Sequence, residues 1–314
     1  MYAQTSAGIP RRALGKTGLQ TSILGVGGYH LGSAQSADEA KRIVHEAIDQ
    51  GINFFDNAWE YHNGVSEEWM GDALRGKRQQ VILMTKVCTH GRNRKAGMEM
   101  LEQSLTRLRT DHLDIWQVHE VIYDNDPDLI FASDGVIEAI DLAKKQGKVR
   151  FAGFTGHKDP DIHLKMLASG YPFHTVQMPL NALDGSYTRS FERLVLPELL
   201  KRGIAPLGMK SLTGSGEAIE NGAYTAEEGL RYAMSVPGVA VTISGMESLD
   251  ILHQNLAIAQ NFRPLTAEES SGLRARAQVY AADGRYELYK TTKKYDGDFG
   301  REQHHFPSAI ELPL

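Results

Sequence analysis

Cysteine is nearly absent. The 314-residue chain has one, Cys88, so no internal disulfide can form and a reducing compartment suits it. Long apolar runs are absent too: none approaches the roughly 18 uninterrupted residues of a membrane span. Residues 1–17 lack the apolar stretch of a secretory signal. A soluble cytoplasmic protein with no membrane partner is therefore expected. No basic block stands out either, and 34 Lys and Arg against 39 Asp and Glu leave a net charge of -5. That balance argues against a nucleic-acid partner. No stretch rich in Pro, Gly or Ser divides the chain, so residues 1–314 read as one domain, and nothing specifies an oligomeric state. What remains is ample: 41% apolar residues for a core and 23% charged residues for a wetted surface.

Eight apolar, strand-like runs recur at 23–26, 52–55, 81–85, 113–118, 149–154, 175–177, 204–207 and 239–243. Helical patterns with charged faces lie between and after them, at 37–50, 66–74, 98–108, 135–146, 162–168, 190–201, 226–235 and 249–259. Gly51, Gly76, Gly147, Gly170 and Gly203 follow helices, where a left-handed residue makes the turn. Eight such alternations predict an α/β protein, a closed TIM-type (β/α)8 barrel. The rival, an open doubly wound sheet, would show Gly-x-Gly-x-x-Gly after its first strand. Here Gly25, Gly27, Gly28 and Gly32 have the wrong spacing. Residues 11–20, with turn-like Lys16-Thr17-Gly18, predict a hairpin sealing the barrel's amino-terminal end. Residues 283–314 form a less regular C-terminal extension carrying Tyr286, Tyr289, Tyr295, Phe299 and Phe306. So many rings are expected to lie against the body, as surface packing or bordering a site.

Asp56, Tyr61, Lys86 and His119 each stand at or just beyond the carboxyl end of one of these runs. A barrel gathers those ends at one rim. A free phenol, with pKa about 10, exchanges protons poorly near neutrality. A neighbouring ammonium lowers that value, and a carboxylate behind the ammonium holds it charged. Tyr61, Lys86 and Asp56 supply this set, and His119 could donate to a substrate carbonyl. No metal is expected: His119-Glu120-Val121-Ile122-Tyr123 lacks the second histidine of the helical zinc motif, and His304-His305 are merely adjacent. Cys88, two residues beyond Lys86, reads as a small barrel-end residue.

The stretch Asn53-Phe54-Phe55-Asp56-Asn57-Ala58-Trp59-Glu60-Tyr61, continued by Ser66-Glu67-Glu68-Trp69-Met70-Gly71-Asp72-Ala73-Leu74, resembles the opening signature of the aldo-keto reductase family. Thr85-Lys86, Gln117-Val118-His119 and Gln177-Met178-Pro179-Leu180-Asn181 follow in family order, and the likeness runs from about Arg12 to Asn261. The resemblance implies a catalytic tetrad of Asp56, Tyr61, Lys86 and His119. It also implies reversible nicotinamide-dependent reduction of an aldehyde or ketone, a small-molecule carbonyl or alcohol substrate, and Tyr61 as general acid and base.

Cofactor recognition departs from the family pattern. The Ser-Asn pair after the fifth barrel strand, which holds the carboxamide, becomes Thr155-Gly156, with His157 next. Gln177 keeps the matching amide. The stacking tyrosine falls at Ile204. Positions that grip a 2′-phosphate become Gly245, Met246 and Ile251, with acidic Glu247 and Asp250 nearby, while Asn255 and Gln254 suit adenine. Gly27, Gly28, Leu207, Gly208 and Lys210 complete the expected dinucleotide contacts. NADP(H) is the expected cofactor, because Lys210 restores positive charge; NAD(H) is the alternative. Tyr29, His30, Trp59 and Tyr123 are expected to shape the substrate pocket. Two other readings stay open: a catalytically silent dinucleotide-binding regulator, and a lyase or isomerase that retains its dinucleotide.

Overall fold

A computed structural model describes residues 8–88, 92–214, 216–293, 295–303, 305, 307 and 308. His304 and Phe306 lie outside the described residues. A hairpin, β1 (Arg11–Ala13) with β2 (Gln20–Ser22), precedes eight parallel strands. These are β3 (Leu24–Gly27), β4 (Phe54–Asp56), β5 (Ile82–Val87), β6 (Leu113–Val118), β7 (Val149–Thr155), β8 (Thr175–Pro179), β9 (Ala205–Met209) and β10 (Val241–Ser244). They close in the order β10-β3-β4-β5-β6-β7-β8-β9 into the expected (β/α)8 barrel.

Helices α1 (Gly28–Leu31), α2 (Ala37–Asp49), α3 (Val65–Ala73), α4 (Arg94–Leu108), α5 (Asp126–Ile130), α6 (Val136–Lys145) and α7 (Pro160–Ala168) follow the first five barrel strands. Next come α8 (Ala182–Ser186), α9 (Leu196–Arg202), α10 (Glu217–Glu220), α11 (Ala226–Ser235), α12 (Leu249–Gln260), α13 (Ala267–Ala281), α14 (Leu288–Thr291) and α15 (Asp298–Gln303). No described helix is long and apolar enough to cross a membrane.

Strand side chains alternate between two cores, as the pleat requires. Phe54, Met84, Ile115, Leu207 and Val241 fill the barrel, while Phe55, Leu83, Trp116, Phe154 and Val176 meet the helices. Leu14, at the hairpin's turn, is fully buried in the interior cluster and plugs its amino-terminal end. Arg12 pins the plug by donating to the carbonyls of Val239 and Met234, each at 2.7 Å.

Three departures from the sequence pattern have local causes. The helix expected over 190–201 opens with a π-turn at Phe191–Val195 before α9. Pro197 lacks the N–H that a continuous α-ladder would need there. Helix α13 was absent from the pattern because its inward stripe is only Leu273, Ala277 and Ala281. Its Thr266–Glu269 capping box was a readable start signal. The described part of the extension is also more regular than expected, with α14 and α15 laid across the carboxyl rim. There Lys290 pairs with Asp184 at 2.7 Å and with Glu287 at 2.9 Å.

Candidate active site

Strand register builds the centre. Asp56 ends β4 level with Met84 of β5, and Lys86 lies two residues further along β5, level with Gln117 of β6. Fully buried Lys86 Nζ donates to Asp56 Oδ1 at 2.5 Å, the Asn57 carbonyl at 2.7 Å and Tyr61 Oη at 3.1 Å. Tyr61 opens a short turn in which His62, Asn63 and Gly64 all have positive φ, 51°, 54° and 94°. Arg107 of α4 braces that turn: it donates to the Trp59 carbonyl at 2.8 Å and to Glu67 at 3.3 Å. A Cβ on Gly64 would strike its guanidinium at 2.4 Å. The phenol is thus carried on a loop held from the far side.

The electrostatics differ from expectation at one point. Burial, then the charges of Asp56 and Glu60, push the Tyr61 phenol well above its ordinary value. The ammonium that should lower it lies closer to Asp56 than to the phenol, and the acids outweigh it. Burial raises Asp56 as well, against the pull of Lys86, His119 and the Gln177 amide. Tyr61 therefore stays a protonated donor in this state.

His119 follows β6 with its ring edge-on to Tyr61, centroids 5.7 Å apart. Its Nδ1 meets Glu60 Oε1 at 2.8 Å and Cys88 Sγ at 3.2 Å. Glu60 escaped the sequence reading, because a glutamate in a loop is ordinarily solvated; here only 14% of its side chain is exposed. Cys88, read as filler, is part of the same cluster. Glu60, Cys88 and His119 offer oxygen, sulfur and nitrogen within 4.8 Å of one another. Burial pushes Glu60 up, but hydrogen bonding and charge from His119, with the Cys88 thiol, more than offset it and hold it below its ordinary value. Burial drives His119 below its ordinary value, with Glu60 opposing, and drives the Cys88 thiol well above its own.

Buried Arg92 fixes the chain beyond His119. It donates to the His119 carbonyl at 2.8 Å and pairs with Asp126 at 2.9 Å. Asp126 in turn accepts from the Ile122 and Tyr123 amides at 2.9 Å each. The extension closes over this loop: the Gly297 amide donates to Glu120 at 2.8 Å, and Tyr123 Oη donates to Asp296 at 3.0 Å. Lys158 also pairs with Asp296. Burial and the nearby Glu60 charge raise Glu120 to about 8.

Expected pocket and cofactor residues divide. Trp59 faces α4 and the extension, donating to Gln103 at 2.7 Å and meeting the Phe299 ring at 4.8 Å. Tyr123, with its hydroxyl engaged by Asp296, is also turned to packing. Tyr29 stays exposed, edge-on to Tyr61 at 5.4 Å, and His30 lies over Gly245, where a Cβ would come within 2.5 Å of the ring. Gln177 is buried with Oε1 unpartnered, His157 Nε2 lies 3.7 Å from Glu120 Oε1, and Thr155 Oγ1 reaches Met209 Sδ at 4.0 Å. Gly156 is required, since a Cβ there would sit 2.2 Å from the Val121 carbonyl. Gly27 and Gly28 likewise let β3 approach Ser244 and Asp56.

Lys210, just past β9, lies 4.9 Å over the Tyr289 ring with no ion pair among the described residues. A Cβ on Gly208 would meet only ordinary contacts. Asn255 donates to Ser244 Oγ at 3.3 Å and the Gly245 carbonyl at 3.2 Å, and Gln254 is exposed on α12. The side chains of Leu207 and Met246 are packed in the two cores, leaving backbone alone toward the rim. Ile204 needs correction. It precedes β9, at the barrel's opposite end, and Met209 holds the strand end beside Thr155.

Comparison with known proteins agrees with this fold. The aldo/keto reductase family model matches residues 23–223, well over half the chain. The uncharacterized oxidoreductase YqkF of Bacillus subtilis is 28% identical over 87% of this chain and 98% of its own. An aldo-keto reductase of Bacillus halodurans, solved in holo form, superposes with a TM-score of 0.70 at 25% identity, covering 85% of this chain and 95% of that one. An aldo/keto reductase of Klebsiella pneumoniae, solved with NADP and acetate, superposes at 0.66 with 24% identity, covering 82% and 92%.

Proposed function

The chain belongs to the aldo-keto reductase family, an oxidoreductase acting on carbonyl or alcohol substrates with NAD(P)H, and from that premise we propose that Tyr61 is its proton donor and acceptor. The observation that carries this reading is the buried ammonium of Lys86, shared between Asp56 at 2.5 Å and Tyr61 Oη at 3.1 Å. When bound, the nicotinamide supplies or takes the hydride at the carbonyl carbon. The chain's own residues handle the oxygen. Tyr61 Oη delivers a proton to it, Lys86 steadies the negative charge that grows there, and Asp56 keeps the ammonium in place.

The residues present fit a dinucleotide. Gln177 Oε1, buried and unpartnered, can accept from the carboxamide, with Thr155 and His157 beside it. Lys210 brings to the end of β9 a positive charge that has no ion pair among the described residues, suited to a phosphate. Gly245, Gln254 and Asn255 border the β10 side. The NADP-bound Klebsiella structure favours NADP(H), and Lys210 supports it; Glu247 keeps NAD(H) as the alternative.

Tyr61→Phe is expected to cut kcat by a hundredfold or more, the order of about 3 kcal/mol in barrier, with the melting temperature unchanged. Nicotinamide absorbance across a panel of aldehydes, ketones and secondary alcohols, with each cofactor, measures both points. Near-normal turnover in the variant sinks the assignment. Tight dinucleotide binding with no turnover on any substrate turns the reading to a silent regulator.

A further inference from the structure

Glu60, Cys88 and His119 reach one point from three separate segments: the stretch after β4, the residue after β5 and the residue after β6. Their distance along the chain hid them from any motif. His119 Nδ1 stands 2.8 Å from Glu60 Oε1 and 3.2 Å from Cys88 Sγ, and the three donor atoms all lie within 4.8 Å of one another. Around a tetrahedral zinc ion, with bonds of about 2.0–2.3 Å, neighbouring ligand atoms stand roughly 3.4–3.6 Å apart. The two contacts of Nδ1 need open by only about half an ångström to admit one. The donor set also selects the ion. Calcium and magnesium take shells made of oxygen, whereas carboxylate, thiolate and imidazole together suit zinc. A second buried acid faces the same place beneath the extension: a Cβ on Gly297 would come 3.1 Å from Glu60 Oε2 and 3.0 Å from Glu120 Oε2. Lys86, whose charge opposes a cation here, is turned to Asp56, the Asn57 carbonyl and Tyr61. Access is from the rim, where 14% of the Glu60 side chain and 10% of that of His119 are exposed.

We propose that Glu60, Cys88 and His119 form a zinc site. Glu60 binds through Oε1 and His119 through Nδ1, as a neutral imidazole with its ring proton on Nε2. Cys88 releases its thiol proton to solvent and binds through Sγ, and a water completes the shell. Nothing is oxidised or reduced. The ion would sit on the ring that stands edge-on to Tyr61, centroids 5.7 Å apart. A dication there favours phenolate over phenol, and so removes the proton that carbonyl reduction needs. Zinc therefore slows reduction. That consequence rests on the reading of Tyr61 as proton donor; the site itself does not.

Cobalt(II) serves as the coloured probe, added to untagged, chelator-stripped, full-length protein. Cys88 is the only cysteine, so a sulfur-to-cobalt charge-transfer band can arise at no other residue. The expected result is that band, with the visible absorption of a four-coordinate ion, at one cobalt per chain, erased when zinc displaces it. Glu60→Gln should keep the band but weaken zinc binding by roughly a hundredfold or more, since even a ligand's outer partners are worth about 10- to 100-fold. The double variant His304→Ala, His305→Ala should match wild type. Cobalt uptake without a thiolate band, uptake lost with the tail histidines, or zinc affinity that Glu60→Gln leaves unmoved overturns the site. In turnover assays zinc should lower kcat/KM for carbonyl reduction by about tenfold or more, reversibly by chelation. Cys88→Ala should keep its zinc-free rate and resist the ion. Equal inhibition of that variant overturns the proposal. If no substrate turns over, the function reading fails by itself, and the thiolate band with its Glu60 dependence alone decides the site.

Discussion

The two ends of the barrel solve the same backbone problem with different residues. At the amino-terminal end, the turns after the outer helices use glycine where φ is positive: Gly51, Gly76, Gly147, Gly170 and Gly203, between 69° and 99°. Arg109 is the exception there. At the carboxyl end, Gly64 and Gly216 do the same, but positive φ also falls on residues with polar side chains: His62 and Asn63 after β4, Arg92 after β5, Glu120 after β6, Lys210 and Thr213 after β9. A left-handed residue with a Cβ costs on the order of 1 kcal/mol or more, and glycine would relieve it. The rim therefore gives up local stability at residues that carry polar side chains, while the other end is an apolar plug around Leu14. Stability and chemistry are separated along the barrel axis.

That separation has a large test. Leu14→Ala should lower unfolding free energy by about 2–5 kcal/mol, since Leu14 is fully buried in the interior cluster and its loss leaves a cavity. Its kcat at a temperature where it is folded should stay within twofold of wild type. Tyr61→Phe is expected to do the reverse. Denaturant melts set beside steady-state rates measure both, and a Leu14→Ala enzyme that keeps its fold but loses turnover breaks the comparison.

A middle-sized effect comes from Glu120, which ties the extension to the rim. In the unfolded chain this carboxyl ionises near 4.5, whereas in the fold it keeps its proton to about 8. The fold binds that proton more tightly. The stability it lends is therefore complete below about 4.5, declines as pH rises through the window and is gone above about 8. Melting temperature across that range should fall less in Glu120→Gln than in wild type. Parallel curves would show that the extension is not held through this group.

The same contrast explains what could be read from the chain. The barrel was legible because its strands are nearly continuous apolar runs, yet seven of the eight were placed one or two residues short at the rim, two of them at charged residues. The run at 52–55 proved to be Phe54–Asp56 and that at 81–85 to be Ile82–Val87. In both, the strand's last residues include a charged site residue, Asp56 or Lys86, so hydropathy stops before the ladder does. Asn53 looked like strand but binds the hairpin, exchanging bonds with Ser22 at 2.7 and 3.1 Å. Asp56, Lys86 and Tyr61 were found through their chemistry; Glu60 was not, because its partners come from β5 and from beyond β6. Ile204 went astray by alignment alone, where strand direction would have placed it at the far end.

The finest test sets glycine against side chain at the two ends. Gly147 has φ of 74°, and a methyl added there would meet no atom within 4 Å, so Gly147→Ala carries only the backbone penalty. Its unfolding free energy should fall by about 1 kcal/mol. Asn63, exposed with φ of 54°, bonds through its backbone amide to the Glu60 carbonyl at 3.0 Å, a bond that glycine keeps. Asn63→Gly should therefore raise stability by a few tenths of a kcal/mol, asparagine being among the side chains that best tolerate this region. Opposite signs are the point, and urea unfolding at one pH resolves them. Because the Tyr61 turn then has a looser backbone, kcat in Asn63→Gly should drop slightly while Gly147→Ala leaves it alone. If both variants lose stability, the rim is not strained in the way its dihedral angles imply.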